Sequence, residues 1–537
     1  MKRISYILSV VFLLAACDNA ADVIKIDSGF ASVKLSSLST VIPKEGGAKT
    51  FFVATNREDW NVTCQEDWLD VSIEEEAVTI YVDANPTDDN RIAVVDVVSG
   101  TYPDVAKARF KVLQSGAGLQ DLSKGGTANC YIATTGSSFR FDASVKGNGA
   151  DDGKTYYGGT HGTEITGAAF ADLVWEATYD ADKTRSTRII NGIPVYSPAE
   201  KAVYFSTGEV EGNAVICVRN AEGQILWSWH IWVTDSPVGT SQGNGLDWMD
   251  RNLGALNNEP GNIANRGMLY QWGRKDPFLP SPASYVKVPY HEYDEEGNLL
   301  ESEEEYYEKQ DQIVAARTLV NLNNTQVGNG FLTWDYLGVA PVALNAPGNI
   351  EYSVQNPTTI LGCRTDIPIG EYVFDWYLQQ DIEGMQSQSY LWGEADKGTK
   401  YKSIFDPCPP GYAVPPRGAF DDIPSDYACT YMKNDWEMND YGWTWKTGNG
   451  DYFPSSGNLD VSGLIGETGE KVLYWTAETF GGSGGFGKAA VLFTAFNEIY
   501  YGIYPVLDEN EAAAWYSYGA KCSAASIRCV KETNNQK

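Results

Sequence analysis

A mainly β chain of several domains is what this sequence predicts: an immunoglobulin-like sandwich, then a second β-rich module, then a larger third domain. Three observations lead there. At 537 residues the chain is longer than one ordinary hydrophobic core supports. Short apolar alternations recur along it, punctuated by Gly, Asn, Thr and Ser, which is the pattern of strands and turns. The aromatic content is high, with 16 Trp and 32 Tyr, and such residues suit a pleated, half-buried surface.

The N-terminus comes first. Lys2 and Arg3 precede an apolar stretch from Ile4 to Leu14, and Leu14-Ala15-Ala16-Cys17 closes it. A basic start, a short apolar run and small residues before a cysteine make a secretory signal, too short to span a bilayer comfortably. The phrase resembles the bacterial lipobox. That resemblance implies a leader over 1–16, cleavage before Cys17 and lipid on its thiol, with 17–30 as a tether. Acyl chains contribute about 0.8 kcal/mol per buried methylene, enough to anchor a body that has no spanning helix.

Residues 31–116 contain six alternating runs: Phe51-Phe52-Val53, Trp60-Asn61-Val62, Trp68-Leu69-Asp70-Val71, Val78 to Val82, Ala93 to Val97 and Ala108 to Val112. So many short strands in one small domain point to an immunoglobulin-like sandwich. Trp60-Asn61-Val62, Trp68 to Ser72, Asn85-Pro86 with Arg91, and Val112-Leu113-Gln114-Ser115-Gly116 resemble the BACON domain family of exported Bacteroidetes proteins. The family name implies carbohydrate binding, and such domains also serve as spacers. Trp60 and Trp68 flank apolar strand positions, which assigns them to the core.

Residues 117–240 form the second module, opening on Asp121-Leu122-Ser123 and Ala128 to Ala133 and closing on Ile225 to Val233. In that last run Trp227, Trp229 and Ile231 face one way and Ser228, His230 and Trp232 the other, so the strand should be covered on both sides. The opening and closing phrases are similar to a β-rich module of secreted Bacteroidetes proteins. His230 has no carboxylate or second His near it in sequence, which favours a hydrogen-bonded core histidine over a ligand or acid–base group.

Residues 241–537 bring longer loops. Trp248 to Ala255, Gly267 to Arg274, Asp406 to Pro415, Tyr474-Trp475-Thr476-Ala477 and Ser526 to Val530 follow the order of the Fibrobacter succinogenes major paralogous domain. That family resembles the C-type-lectin-like fold, and the resemblance implies an α+β domain over 241–537. An insertion from His291 to Asp311 carries ten acidic side chains against Lys309 alone, and such a charge run predicts a solvated flap. Cys408 and Cys529 both lie in the family's recurrent phrases, so the resemblance implies that they pair.

Composition excludes some functions. A net charge of −31 argues against nucleic acid and anionic lipid head groups, which need Lys and Arg. No HExxH pair, P-loop or EF-hand loop occurs. The carboxylates are too numerous to single out a glycosidase pair. Eight cysteines besides Cys17 permit disulfides, and their spacing matches no zinc pattern. Formylglycine-generating enzymes share the lectin-like fold and end in an Arg-Cys phrase like Arg528-Cys529, but their neighbouring reactive cysteine pair is not reproduced. No catalytic residue, no metal ligand and no cofactor is therefore expected. The Glu-Pro-Asn and Trp-Asn-Asp calcium signatures of sugar-binding lectins are missing too, while plentiful oxygen ligands leave room for a structural calcium.

The sequence offers one candidate binding surface. In Asp440 to Tyr452, Trp443 and Trp445 share a face if extended, near Asn449 and Tyr452, which suits stacking and hydrogen bonding of a carbohydrate. The competing reading packs both Trp side chains under a Gly-rich loop. The chain as a whole reads as a non-catalytic, lipid-anchored protein of the outer membrane, exposed at the cell surface, that binds a glycan or glycoprotein. The alternative is a structural or adhesive subunit, of pilus tip or anchor type, that assembles with surface proteins.

Overall fold

The computed structural model describes residues 29–149, 163–179 and 188–280, and a series of segments between 283 and 532, chiefly 349–362, 401–416, 450–459, 471–479, 488–495 and 513–532. The protein is mostly β, with 48% strand and 3% helix. The leader and Cys17 lie outside the described residues. Contacts gather the chain into two compact units.

The first unit is drawn from the residues up to Leu38, Glu45–Ala84 and Ala93–Val112. Residues 31–116 supply strands β1 (Val33–Leu35), β2 (Ser39–Ile42), β3 (Gly47–Thr55), β4 (Trp60–Thr63), β5 (Leu69–Glu74), β6 (Ala77–Val82), β7 (Arg91–Ser99) and β8 (Ala106–Gln114). They form two sheets, β1–β3–β6–β5 and β2–β8–β7–β4. Period-two patterning sets the inner faces: Phe51, Val53, Val78, Ile80 and Val82 are buried, as are Val95, Val97, Phe110 and Val112. Phe51 stacks on Phe110 with ring centroids 4.0 Å apart, tying the sheets together. Each such buried side chain contributes about 1.5–3 kcal/mol. Trp60 and Trp68 differ from expectation. Both are half-buried rather than core, because each sits where a strand begins, and the Trp68 indole reaches out to donate to Glu66 Oε2 at 3.2 Å.

The second unit takes up Ser39–Lys44, Asn85–Ile92 and Leu113 onward. Here β9 (Gln120–Asp121), β10 (Cys130–Ala133), β11 (Ser138–Asp142), β12 (Phe170–Thr178), β13 (Ile190–Ser197), β14 (Ala202–Thr207), β15 (Gly212–Arg219) and β16 (Ile225–Val233) build two sheets. One runs β10–β16–β15–β12 and then the strand Ala315–Arg317; the other runs β13–β14–β11–β9. In β16 Trp227, Trp229, Ile231 and, on the opposite face, Ser228, His230 and Trp232 are all buried, as the alternation predicts. Trp229 packs against Phe141 of β11, 4.9 Å between centroids. The other face meets the chain at 270–276: Tyr270 lies on His230, and Lys275 and Asp276 on Ser228. One apolar core consequently runs from Cys130 through Trp272 to Cys529, continuous across residue 240.

Beyond β17 (Thr240–Gly243) and β18 (Leu246–Met249), β19 (Leu269–Gln271) and β20 (Pro277–Phe278) join Ala524–Ser526, Lys471–Thr479, Lys488–Ala495 and Ala513–Ala520 in a larger sheet. The phrase Tyr270 to Arg274 is a hub. The indoles of Trp475, Trp376 and Trp392 donate to the carbonyls of Tyr270, Trp272 and Arg274 at 2.8, 2.8 and 3.0 Å. Buried donors need acceptors, and this backbone supplies them. Cys408 and Cys529 are joined by a disulfide, Cα to Cα 6.1 Å. At the end of the acidic insertion, Glu305–Asp311 pairs antiparallel with Ala283–Pro289. The helix α1, Asn349–Gln355, completes the elements used below.

Candidate functional site

The surface drawn from the sequence is part of the core. Trp443 and Trp445 do share one face of the strand Gly442–Trp445, but they are 0% and 1% exposed. They lie in a cluster with Trp248, Phe453, Val472 and Tyr474. Trp445 meets Trp248 edge-on at 5.8 Å. Tyr452 is buried too, and its carbonyl accepts from Arg528 Nη2 at 2.7 Å. Asn449 lies outside the described residues. The stacking platform is therefore corrected to packing: rings buried under Gly442, whose Cβ position is filled by the Tyr452 ring, have no face left for a sugar.

Arg528 holds that cluster from beneath. Its guanidinium lies over the Phe453 ring at 3.9 Å and donates to Asn252 Oδ1 at 3.1 Å, with Asp451 at 4.0 Å. Burial lowers its pKa, opposed by Tyr474 and Asp451. Cys529 is spent in the disulfide, so the Arg-Cys phrase carries no thiol for chemistry.

His230 is a core histidine. Asn213 uses its amide N–H on the Gly254 carbonyl at 2.9 Å, so its oxygen faces His230 and accepts from Nε2 at 2.8 Å. Nδ1 then accepts from the Tyr270 hydroxyl at 2.9 Å. Gly254 is required beside it: at φ +86° an added Cβ would lie 2.7 Å from Met268 Cγ and 2.9 Å from Asn213 Oδ1. Burial pushes the His230 pKa down to about 3. An unfolded His titrates near 6.5, so between roughly pH 6.5 and 3 the unfolded chain binds a proton that the folded chain refuses. This group's stabilisation is complete above that window and is lost as pH falls through it. Chemical unfolding at pH 7.5 and pH 5 should show a smaller loss of stability in His230→Gln than in the parent; equal losses would contradict the burial of a neutral ring.

A different place has the form of a ligand site. A cleft of about 170 Å³ is lined by Ile165, Ile225, Leu226, Trp227 and Val354, with Lys146, Glu164, Thr166, Glu351 and Gln355 supplying polar groups. Each wall has a local cause. The bridge Val145↔Glu164, with Lys146 N–H donating to Thr163 O at 2.7 Å, sets Lys146 beside Glu164. Gly147, at φ +51°, lets the chain turn there, since a Cβ would sit 2.2 Å from Ile404 O. Asn148 ties the turn to Lys402 O at 2.7 Å.

The opposite wall is α1. Ile350 and Val354 are buried, while Glu351 and Gln355, one turn apart, lie on the same face and hydrogen-bond at 3.3 Å. Arg274 fixes the end of this helix. Its guanidinium donates to the carbonyls of Ser353 and Asn356 at 3.1 Å each and to Thr359 O, satisfying acceptors that a helix C-terminus leaves open.

Beneath the cleft lies Trp227, itself fully buried, whose indole donates to Asn129 Oδ1 at 2.9 Å. Lys275 Nζ lies 4.7 Å and Lys146 Nζ 6.0 Å from its ring centroid. Lys275 is fully committed: it pairs with Asp276 at 2.6 Å and donates to Ser228 Oγ, and burial lowers its pKa. Burial also lowers the pKa of Lys146, opposed by Glu351. No grouping of His, Cys, Asp and Glu suited to a metal occurs among the described residues.

Sequence reasoning missed this cleft because its walls come from segments near 146, 164, 226 and 351. The one local signal is the alternation of Ile350 and Val354 with Glu351 and Gln355, a two-sided helix in a β protein.

No family model matches the chain, and no curated protein matches it. Solved structures similar to parts of it include a protein from Bacteroides thetaiotaomicron studied by NMR, 20% identical over 17% of this chain and 95% of that one, TM-score 0.14. The Pseudomonas aeruginosa CupB2 chaperone is 12% identical over 37% of this chain and all of its own, TM-score 0.18. The titin M3 domain is 7% identical over 16% and 98%, TM-score 0.13. None of these likenesses bears on function.

Proposed function

We propose that this chain is a non-catalytic, lipid-anchored surface protein that binds a glycan or glycoprotein, and that the cleft between the Lys146 loop and α1 receives a saccharide unit of that ligand. The observation that carries the reading is the make-up of the cleft: a small concavity in which hydrogen-bonding side chains converge beside apolar ones on rigid elements, as in a small-ligand site. Gln355, Thr166 and the carboxylates of Glu164 and Glu351 suit the hydroxyls of a sugar, and Lys146 adds a donor. The resemblance to the BACON and lectin-like families agrees with this reading by analogy.

Lys146→Ala and Gln355→Ala are expected to weaken binding of a retained glycan by about 1–3 kcal/mol each, the scale of a contact at a binding hot spot, with little change in melting temperature. Titration calorimetry on the full chain measures it. Undiminished affinity in both variants would remove the cleft from the site.

The anchor is proposed at Cys17, because a lipobox-like phrase precedes it and no helix among the described residues is long and apolar enough to cross a membrane. Cys17→Ser should move the protein from the membrane to the soluble fraction and abolish labelling by a palmitate analogue. Persistent labelling would place the lipid elsewhere.

The structural-subunit alternative has less support. Strand donation needs an open sheet edge. Of the middle module's edge strands, β10 is four residues long with Cys130, Tyr131 and Ala133 buried, and Ser39 Oγ of β2 donates to the Tyr196 carbonyl of β13.

A further inference from the structure

We propose that the end of the first sandwich that carries Phe30, Tyr102 and Val105 rests on a lipid bilayer whose head groups bear ammonium groups. The proposal rests on the lipid-anchor reading of Cys17 and adds to it a protein surface that meets the membrane.

Three pieces of chain share this end. β1 starts at Val33, opposite Thr55 where β3 finishes, and β4 starts at Trp60, opposite Ser99 where β7 finishes. The segment before β1, the β3–β4 connection and the β7–β8 connection therefore lie together. Hydrogen bonds lace them: Ala31 N–H donates to Asp104 Oδ1 at 2.8 Å, Asn56 Nδ2 to Phe30 O at 2.7 Å, and Arg57 Nη2 to Gly29 O at 3.0 Å and to Asp104 Oδ2. The β7–β8 connection is a turn closed by Asp104 N–H on Thr101 O at 2.9 Å, which puts Tyr102 and Pro103 at its tip. Tyr102 is 92% exposed, Phe30 79% and Val105 48%. Among the described residues the next large apolar side chain after the first two is Phe52, at 52%. One exposed ring is ordinary; the two most exposed ones on a single laced tip mark a contact surface.

The position of this tip along the chain says what it meets. Phe30 lies thirteen positions after Cys17, a stretch that spans at most about 45 Å. A lipid on Cys17 therefore keeps this end within reach of the bilayer, and the contact is intramolecular with the anchor, so a small surface suffices. The opposite end of the sandwich, at Glu45 before β3, stands about 27 Å farther along the strands. A Tyr ring suits the interface, with its body among acyl chains and its hydroxyl among head groups. The charges choose the lipid. Arg57 is paired with Asp104, while Glu58 and Asp59 beside them are exposed. Those carboxylates repel anionic head groups and attract an ammonium, as in phosphatidylethanolamine.

The full-length lipidated chain in phosphatidylethanolamine–phosphatidylcholine vesicles tests this with one fluorophore at a time. Cys64, the half-buried free thiol, is changed to Ser; Cys130 and Cys217 are buried and stay. Thr101→Cys puts the reporter at the tip and Glu45→Cys puts it at the opposite end, both at exposed positions. A lipid spin-labelled at head-group depth should quench the reporter at 101 more than the one at 45 by about threefold, since the two ends stand about 27 Å apart. Phe30→Ser with Tyr102→Ser should bring quenching at 101 down to the level at 45, with a melting temperature inside the range of surface substitutions. Vesicles rich in phosphatidylglycerol should quench the reporter at 101 less. Equal quenching at 101 and 45 in vesicles that carry the chain, or quenching at 101 untouched by the double change, overturns the contact and leaves the anchor standing. Quenching as strong in phosphatidylglycerol overturns the assigned head group. A parent that does not float with vesicles rejects the anchor, and the contact with it.

Discussion

Replacing Cys408 and Cys529 together by serine is expected to lower stability by about 4–5 kcal/mol, because the disulfide closes a loop of 121 residues and its removal restores that much chain entropy to the unfolded state. The two cysteines are fully buried in the core shared with Trp272 and Trp475, so neither serine finds solvent. Denaturant unfolding without reductant, compared with the parent, reads the loss directly. A midpoint unchanged from the parent would mean that contacts alone hold the segment around 408 against the one around 529.

Trp443→Ala is expected to cost about 3–5 kcal/mol, the range for truncating a buried Trp. Its ring and that of Trp445 are packed with Trp248, Phe453 and Tyr474, and the neighbouring backbone is closed by Gly442, so little of the cavity can collapse. A glycan that the parent retains should still bind wherever the variant remains folded. A melting temperature near that of the parent combined with weakened glycan binding would restore these rings to a binding role.

How legible this was in the sequence depended on the kind of signal. Period-two patterns placed the strands of the first domain closely, as with Trp60-Asn61-Val62 against β4 and Val78 to Val82 against β6. Alternation also showed that β16 is covered on both faces, yet not by what: Tyr270, Lys275 and Asp276 come from the following module, and periodicity carries no information on distant partners. His230 read correctly for the same local reason, the absence of companions. Trp443 and Trp445 were legible as sharing a face, while which face was solvent depended on Trp248 and Phe453. The cleft drew on four separated segments, and only the Ile350/Val354 and Glu351/Gln355 pattern announced one wall. The phrases that carried the family resemblance, above all Tyr270 to Arg274, turned out to hold indole donors and the end of α1 in place. They are structural, which is why they point to a fold more firmly than to a ligand.

The central claim is that the chain binds glycan without catalysis, and the most direct measurement is a glycan array probed with the full-length chain. Retention of a defined subset of glycans, recovered unaltered from the bound fraction and weakened by Lys146→Ala, is the predicted result. Background signal at every glycan, or release of shortened products from those retained, would contradict it.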